Sequence, residues 1–176
     1  MWRRRCTVIL LDRMRSTTAE NGARPGDVRV LVVGDNATVR DALCHLVAGR
    51  APFAVVGACG DAAAAVRCAD QEAPQVVLLD LSARGVAPED LAERLRHCAL
   101  RPAVVVLSAF ADEERSAAAL AAGVTGWVLK DAPPEDLFAA LSGATAALAA
   151  AAAADPRFAR DAGEAAGAPH SVGLAA

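Results

Sequence analysis

The sequence predicts an α/β fold in which five parallel strands form one sheet covered by helices on both faces. Five short apolar runs, rich in β-branched residues and bounded by Gly, Pro or a charge, recur along the chain. They lie at 28–34, 53–58, 75–80, 102–108 and 125–130. Each run is followed by a segment with the periodicity or the start signals of a helix. Strands and helices that alternate in this way form a parallel sheet with helices packed on both of its faces.

The first unit joins the strand VRVLVVG to a helix with one apolar face. The stripe keeps the i, i+3, i+4, i+7, i+8 spacing of an amphipathic helix. It consists of Val39, Ala42, Leu43, Leu46 and Val47. The stripe also sets the register of the residues before it, so that Gly34 and then Asp35 follow the first strand.

The later units show the start and stop signals of helices. Asp61 is a predicted N-cap for the alanine-rich segment after the second strand. Proline and acids open the segments PEDLAERLRHC and PPEDLFAALSGATAAL, as helix N-termini favour. The segment after the fourth strand begins with acids and stops at Gly123. The third strand, QVVLLD, lacks polar alternation and is predicted to be buried on both faces.

The two ends of the chain differ in composition from its middle. Residues 1–27 hold six arginines against three acids and lack apolar periodicity, which predicts a basic, disordered extension. A contact with nucleic acid or anionic lipid is the less favoured interpretation of this segment. Residues 149–176 are alanine-rich and low in complexity, which predicts a disordered tail. The folded domain is therefore expected over residues 28–148.

Composition also narrows the class of protein. No apolar run approaches the roughly eighteen residues of a membrane helix, so we expect a cytoplasmic protein without a membrane segment. The cysteines are odd in number and contain no Cys-x-x-Cys pair. We expect buried thiols in a reducing compartment rather than metal ligands or disulfides. These cysteines are Cys6, Cys44, Cys59, Cys68 and Cys98.

Four polar residues mark the carboxyl ends of predicted strands: Asp35, Asp80, Ser108 and Lys130. Because ligands of open parallel sheets bind in the crevice at these ends, we expect the four side chains to line one site. Lys130 is the only lysine among eighteen basic residues, which indicates a need for a compact ammonium group. Carboxylates suit a hard divalent cation, and lysine and serine suit a phosphoryl group. The alternatives are that Asp80 opens a turn and that Lys130 is a solvated charge.

This ordered set resembles the receiver domain of bacterial two-component response regulators, which has a flavodoxin-like fold of five βα units. The segment GWVLKDAPPEDL is similar to the NarL/LuxR-type subgroup, whose receivers usually precede a helix-turn-helix. The resemblance implies that Asp80 accepts a phosphoryl group from a sensor histidine kinase or phosphotransfer protein. It also implies a magnesium-dependent reaction that switches a protein-interaction surface.

The resemblance assigns roles to matching positions. Mg²⁺ would be held by Asp35, Asp80 and the main-chain carbonyl of Ser82. Ser108 and Lys130 would contact the phosphoryl oxygens. A further residue, Trp127, would be the aromatic side chain that repositions when the domain switches.

Two departures from the family pattern affect this assignment. The family carries two adjacent acids after the first strand, whereas Gly34 occupies the first of these positions here. Arg84 stands where the loop after the phosphoacceptor usually has proline. One carboxylate is lost and one cation is added. A second function class therefore stays open, in which a degenerate receiver acts as a protein-interaction module without phosphorylation.

The resemblance also sets expectations about output. The subgroup continues into a DNA-binding domain, but only the tail 149–176 follows here, so we expect no DNA binding and an unidentified output protein. Dimerisation through the fourth and fifth units stays open. A phosphatase of the haloacid-dehalogenase type would have a second aspartate where Ser82 stands. We therefore expect no enzyme, and at most autocatalytic uptake and loss of the phosphoryl group.

Overall fold

Five parallel strands form one sheet in the computed structural model, which describes residues 23–81 and 87–154. The strands are β1 (Val28–Val33), β2 (Phe53–Cys59), β3 (Val76–Leu81), β4 (Ala103–Ser108) and β5 (Gly126–Leu129). The helices are α1 (Ala37–Ala48), α2 (Ala62–Glu72), α3 (Pro88–Leu95), α4 (Glu113–Ala121) and α5 (Pro134–Ala154). The predicted fold class is confirmed.

The order of strands across the sheet is β2-β1-β3-β4-β5, and every neighbouring pair is parallel. The connections lead outward from β1 in one direction and from β3 in the other. The carboxyl ends of these two central strands therefore flank the point where the winding reverses. In open α/β sheets this point opens the crevice in which ligands bind.

Side chains alternate between two apolar cores, one on each face of the sheet. Leu31 and Val77 point into a core that α2, α3 and α4 cover. Val32 and Leu78 point into a second core that α1 and α5 cover. Because β1, β3 and β4 are covered on both faces, they need apolar residues at nearly every position. This need explains the continuous runs of valine and leucine in the sequence.

The helix start signals act as predicted, with one addition. Asp61 caps α2 by accepting a hydrogen bond from the Ala64 amide at 2.8 Å. Asn36 caps α1 in the same way and was not identified from the sequence. The predicted stripe of α1 is wrong at two positions, since Ala42 is exposed and Leu46 is 40% exposed. Cys44 lies in the core instead, which rotates the buried face of α1 slightly toward it.

The last helix is longer than the sequence interpretation allowed. We expected the domain to end at residue 148, but α5 continues to Ala154. Alanine has the highest helix propensity, so the alanine run prolongs a helix that packing against the sheet has already nucleated. Among the described residues, only α5 has the length and apolar composition that a membrane span requires. This is weak evidence for a span, because core helices meet the same criterion and the first half of α5 packs on the sheet.

The packing of α5 leads to a testable prediction. Leu141 is fully buried between α5 and the sheet, so Leu141→Ala should lower the free energy of unfolding by about 2–5 kcal/mol. The matched control is Leu46→Ala, which removes the same atoms from a largely exposed site and should cost less than about 1 kcal/mol. Urea unfolding of the purified chain measures both changes. Equal losses in the two variants would contradict this account of the core.

Candidate functional site

Asp80 is the carboxylate that the fold buries most deeply among the described residues. It lies one residue before the end of β3 and is 1% exposed, between β1 and β4. The sequence analysis expected Asp80 to line the crevice at the end of its strand, and the structure buries it inside the sheet. A buried carboxylate is costly unless charges or hydrogen-bond donors compensate it. The groups around Asp80 therefore decide what the site can do.

Lys130 supplies one such charge. Its ammonium Nζ forms an ion pair with Asp80 Oδ1, and its own side chain is partly exposed. The Lys130 amide donates to the carbonyl of Ser108 at 2.7 Å, which ties the end of β5 to the end of β4. Within the described residues no hydrogen-bond donor reaches Asp80 Oδ2, and that atom is fully buried. Among the described residues, one oxygen of the carboxylate is thus engaged by a cation and the other has no partner.

Gly34 lies directly beside this second oxygen. A Cβ atom built on Gly34 would be 3.0 Å from Asp80 Cβ and 3.4 Å from Asp80 Oδ2. Position 34 continues the alternation of β1 toward the face covered by α1 and α5, which is also the face of Asp80. Any side chain at this position would point at the buried carboxylate. Glycine at this position lets the Asp80 side chain lie close against the end of β1.

The chain after Gly34 is held by its own set of hydrogen bonds. The Gly34 amide donates to the Cys59 carbonyl at 3.0 Å, and Arg40 Nη1 donates to the Gly34 carbonyl at 2.6 Å. Asp35 follows as an exposed residue just before the N-cap of α1. Sequence reasoning missed Arg40, whose only signal was a cation in the first turns of α1. Its contact fixes the backbone on which Asp35 is carried.

Ser108 and Trp127 lie on the other face of the sheet. The Ser108 side chain is in phase with Val106, in the core covered by α2, α3 and α4, and Trp127 packs against that same core. The Ser108 hydroxyl donates to the Phe110 carbonyl at 3.0 Å and accepts from the Phe110 amide at 3.2 Å. The structure therefore brings Gly34, Asp80 and Lys130 together, and it places Ser108 in a turn with Phe110.

Two residues singled out from the sequence lie outside the described residues. These are Ser82, whose carbonyl was expected to face the cation, and Arg84, which replaces the expected proline. Within 23–81 and 87–154, no cluster of three or more acidic, histidine or cysteine side chains has the arrangement of a metal site. Asp80 and Asp35 are then the carboxylates from which a cation site at the crevice would have to be built.

Comparison with known proteins places the chain in a family. A family model described as the response regulator receiver domain matches residues 30–142. The chain belongs to this family. Over 117 residues the receiver is 32% identical to the nitrate/nitrite response regulator protein NarL of Escherichia coli K12. The match covers 66% of this chain and 54% of that protein, so the chain spans about half the length of this curated relative.

Other similarities fit the same family. The receiver domain of a putative response regulator NarL from Mycobacterium tuberculosis superposes with a TM-score of 0.60 at 29% identity. The alignment covers 67% of this chain and 96% of that one. A protein-glutamate methylesterase/protein-glutamine glutaminase of Anaeromyxobacter dehalogenans is 48% identical over 59 residues, which are 34% of this chain and 16% of that protein. Proteins whose names describe different activities therefore contain segments similar to this chain.

The ion pair of the receiver provides a second prediction. Lys130→Ala leaves the buried Asp80 carboxylate without its cation and should lower the free energy of unfolding by about 3 kcal/mol. The double variant Asp80→Asn/Lys130→Ala removes the charge as well and should recover most of that loss. Urea unfolding of the two single variants and the double variant gives the coupling energy. If the two single effects simply add, the ion pair does not determine the stability of the crevice.

Proposed function

We propose that this receiver accepts a phosphoryl group on Asp80 and thereby switches a surface that another protein reads. The observation that carries the proposal is the state of the Asp80 carboxylate. It is buried, one oxygen is paired with Lys130, and the other has no donor within the described residues. A carboxylate oxygen that no hydrogen bond engages is available as a nucleophile.

A divalent cation fits this site by the chemistry of its donors. The unpartnered Asp80 Oδ2 is a hard oxygen of the kind that Mg²⁺ prefers, and Asp35 together with the Ser82 carbonyl would complete the protein ligands. Bound Mg²⁺ would neutralise charge between the carboxylate and an anionic phosphoryl donor. Because Gly34 leaves out one carboxylate, we expect the cation to bind weakly.

The side chains of the receiver have separate roles in the proposed phosphoryl transfer and switch. Asp80 supplies the attacking oxygen, and Lys130 remains beside it to hold the added negative charge of the phosphoryl group. The Ser108 hydroxyl would leave the Phe110 backbone and turn toward the phosphoryl oxygens. Trp127, on the same face as Ser108, would then move into the space that Ser108 gives up. This exchange biases the surface formed by β4, β5 and the helices that follow them.

The proposed donor is a phosphohistidine on a sensor histidine kinase or phosphotransfer protein, and the proposed location is the cytoplasm. The relatives named as nitrate/nitrite response regulators support this assignment. The proposed role is signalling, with no substrate turnover beyond uptake and loss of the phosphoryl group. The reader of the switched surface would be another protein.

A second candidate function is a receiver that acts as an interaction module without phosphorylation. Gly34 is the observation that favours it, because the space beside Asp80 lacks the carboxylate that would strengthen cation binding. In this case Lys130 serves to neutralise Asp80 permanently. The two functions differ in whether Asp80 ever carries a phosphoryl group.

Phosphoryl uptake is the decisive measurement. Incubation of the chain with acetyl phosphate and magnesium should give a hydroxylamine-sensitive phosphoryl adduct, seen by intact mass spectrometry. Asp80→Asn should abolish the adduct, because an amide oxygen is a much weaker nucleophile. Asp112→Asn is the matched control, since it changes an exposed cap of α4 and should leave labelling unchanged. Labelling that survives Asp80→Asn, or none in the parent chain, would refute the switch.

A further prediction concerns the missing carboxylate. Gly34→Asp should tighten Mg²⁺ binding about tenfold, equivalent to roughly 1.4 kcal/mol, because an added acid faces Asp80. Without Mg²⁺ the same variant should be less stable than Gly34→Ala by about 1–3 kcal/mol, since two carboxylates then lie together. Gly34→Ala introduces the same tight Cβ contact without the charge and is the control.

Urea unfolding with and without MgCl₂ measures both effects. Trp127 fluorescence reports the transition, in a background in which Trp2→Phe removes the second tryptophan. Equal magnesium dependence in Gly34→Asp and Gly34→Ala would mean that position 34 does not act on the cation.

A further inference from the structure

Two cysteines that form no recognisable sequence motif are neighbours in the fold. Cys59 is the last residue of β2, and Cys68 lies in the middle of α2. Both are free thiols, 8% and 9% exposed, in the core covered by α2, α3 and α4. Their thiols lie within hydrogen-bonding reach of each other. The other cysteines of the described residues, Cys44 and Cys98, have no thiol partner of this kind.

The strand beneath them is shaped to accept a sulfur atom. Gly57 and Cys59 pair with Leu31 and Val33, whose side chains enter the same core, so positions 57 and 59 face α2 together. A Cβ atom on Gly57 would lie only 2.6 Å from Cys68 Sγ. Cys68 Sγ therefore occupies the space that a side chain at 57 would need. Glycine at this position lets the sulfur approach the strand, within hydrogen-bond reach of Cys59.

We propose that Cys59 and Cys68 form an oxidisable dithiol, which a hydroperoxide converts to an intramolecular disulfide. Cys68 sulfur, as the thiolate, attacks a peroxide oxygen, so an S–O bond forms, the O–O bond breaks and hydroxide or alkoxide leaves. Cys59 sulfur then attacks the Cys68 sulfenic acid. The S–S bond forms, the S–O bond breaks, and water leaves with the proton of Cys59. The peroxide is reduced by two electrons, which the two thiols supply.

The hydrogen bond between the thiols makes them unequal. This hydrogen bond is the largest effect on the pKa of each thiol. It lowers the pKa of Cys68, although desolvation acts in the opposite direction, and it raises the pKa of Cys59. Cys68 is therefore the thiol that reaches the reactive thiolate form first. By contrast, desolvation by burial raises the pKa of Cys98 to about 11, which keeps that thiol protonated and unreactive.

The pair lies one hydrogen bond away from the phosphoacceptor crevice. The Cys59 carbonyl accepts from the Gly34 amide at 3.0 Å, and position 34 lies against Asp80. A disulfide at Cys59 shifts the end of β2 and with it the backbone of Gly34. Oxidation should therefore change the rate of phosphoryl uptake at least about twofold. This consequence rests on the proposed function, whereas formation of the disulfide does not.

Trypsin provides a direct test of the disulfide. The chain is treated with hydrogen peroxide, its remaining thiols are alkylated, and it is digested without reduction. Cleavage at Arg50, Arg67 and Arg84 places Cys59 and Cys68 in separate peptides, 51–67 and 68–84, with no other cysteine in either. A disulfide joins them into one species that is lighter than the sum by two hydrogen atoms and that separates on reduction.

We expect the linked pair 51–67 and 68–84 to exceed any other cysteine linkage at least about tenfold, because the two sulfurs already lie together. Cys98→Ser should leave it unchanged, and Cys68→Ser should abolish it. Absence of the linked species from the folded parent chain, or equal amounts of links to Cys44 or Cys98, would overturn the proposal.

The effect on the crevice is measured separately, as acetyl phosphate labelling of the reduced and the oxidised chain. We expect the redox dependence of labelling to disappear in Cys68→Ser. Labelling at the same rate in both redox states would refute the coupling alone. Absence of labelling in both states would refute the proposed function, and the peptide test would still decide whether the disulfide forms.

Discussion

The crevice depends on the burial of one carboxylate at the centre of the sheet. Asp80 sits in β3, between β1 and β4, where water does not reach it. A negative charge in such a place requires a nearby cation, and Lys130 brings one from the far end of the sheet. The positions of β5 and of the connection that follows it are thus tied to a charge carried two strands away.

This arrangement makes the site sensitive to any change in charge. Lys130 balances a single negative charge on Asp80. A bound cation adds positive charge to this pair, and a phosphoryl group adds negative charge. Gly34 sets how far the balance can shift, because it places no second acid beside Asp80 Oδ2. The family fold is therefore preserved in this chain, while residue 34 alone can change how strongly the crevice binds a cation.

The sequence was sufficient for the sheet, since runs of valine and leucine that alternate with capped helices have few other arrangements. It also indicated Asp80 and Lys130, because both are polar residues at the ends of apolar runs. It could not give the depth of Asp80: a strand that is apolar on both faces has no alternation from which to infer exposure. The turn that engages Ser108 with the backbone of Phe110 is likewise a local hydrogen-bond choice that composition does not reveal.

Contacts between elements were the least accessible from the sequence. Cys59 and Cys68 meet because α2 returns over β2, and Gly57 leaves room for the sulfur between them. No spacing rule predicts this meeting, which depends on how closely the helix lies on the strand. The length of α5 was misjudged for a different reason, since an alanine run has the same low complexity whether it is disordered or continues an existing helix.

The extra turns of α5 have a mechanical consequence. The buried residues of the helix end at Ala144, so the ten residues from 145 to 154 extend it by about 15 Å beyond its packed part. A helix transmits rotation as well as distance, at about 100° per residue. Adding or removing one alanine in this run would therefore turn whatever is attached at residue 154 to a different side of the receiver. The number of residues in the alanine run therefore determines the direction in which the end of α5 faces.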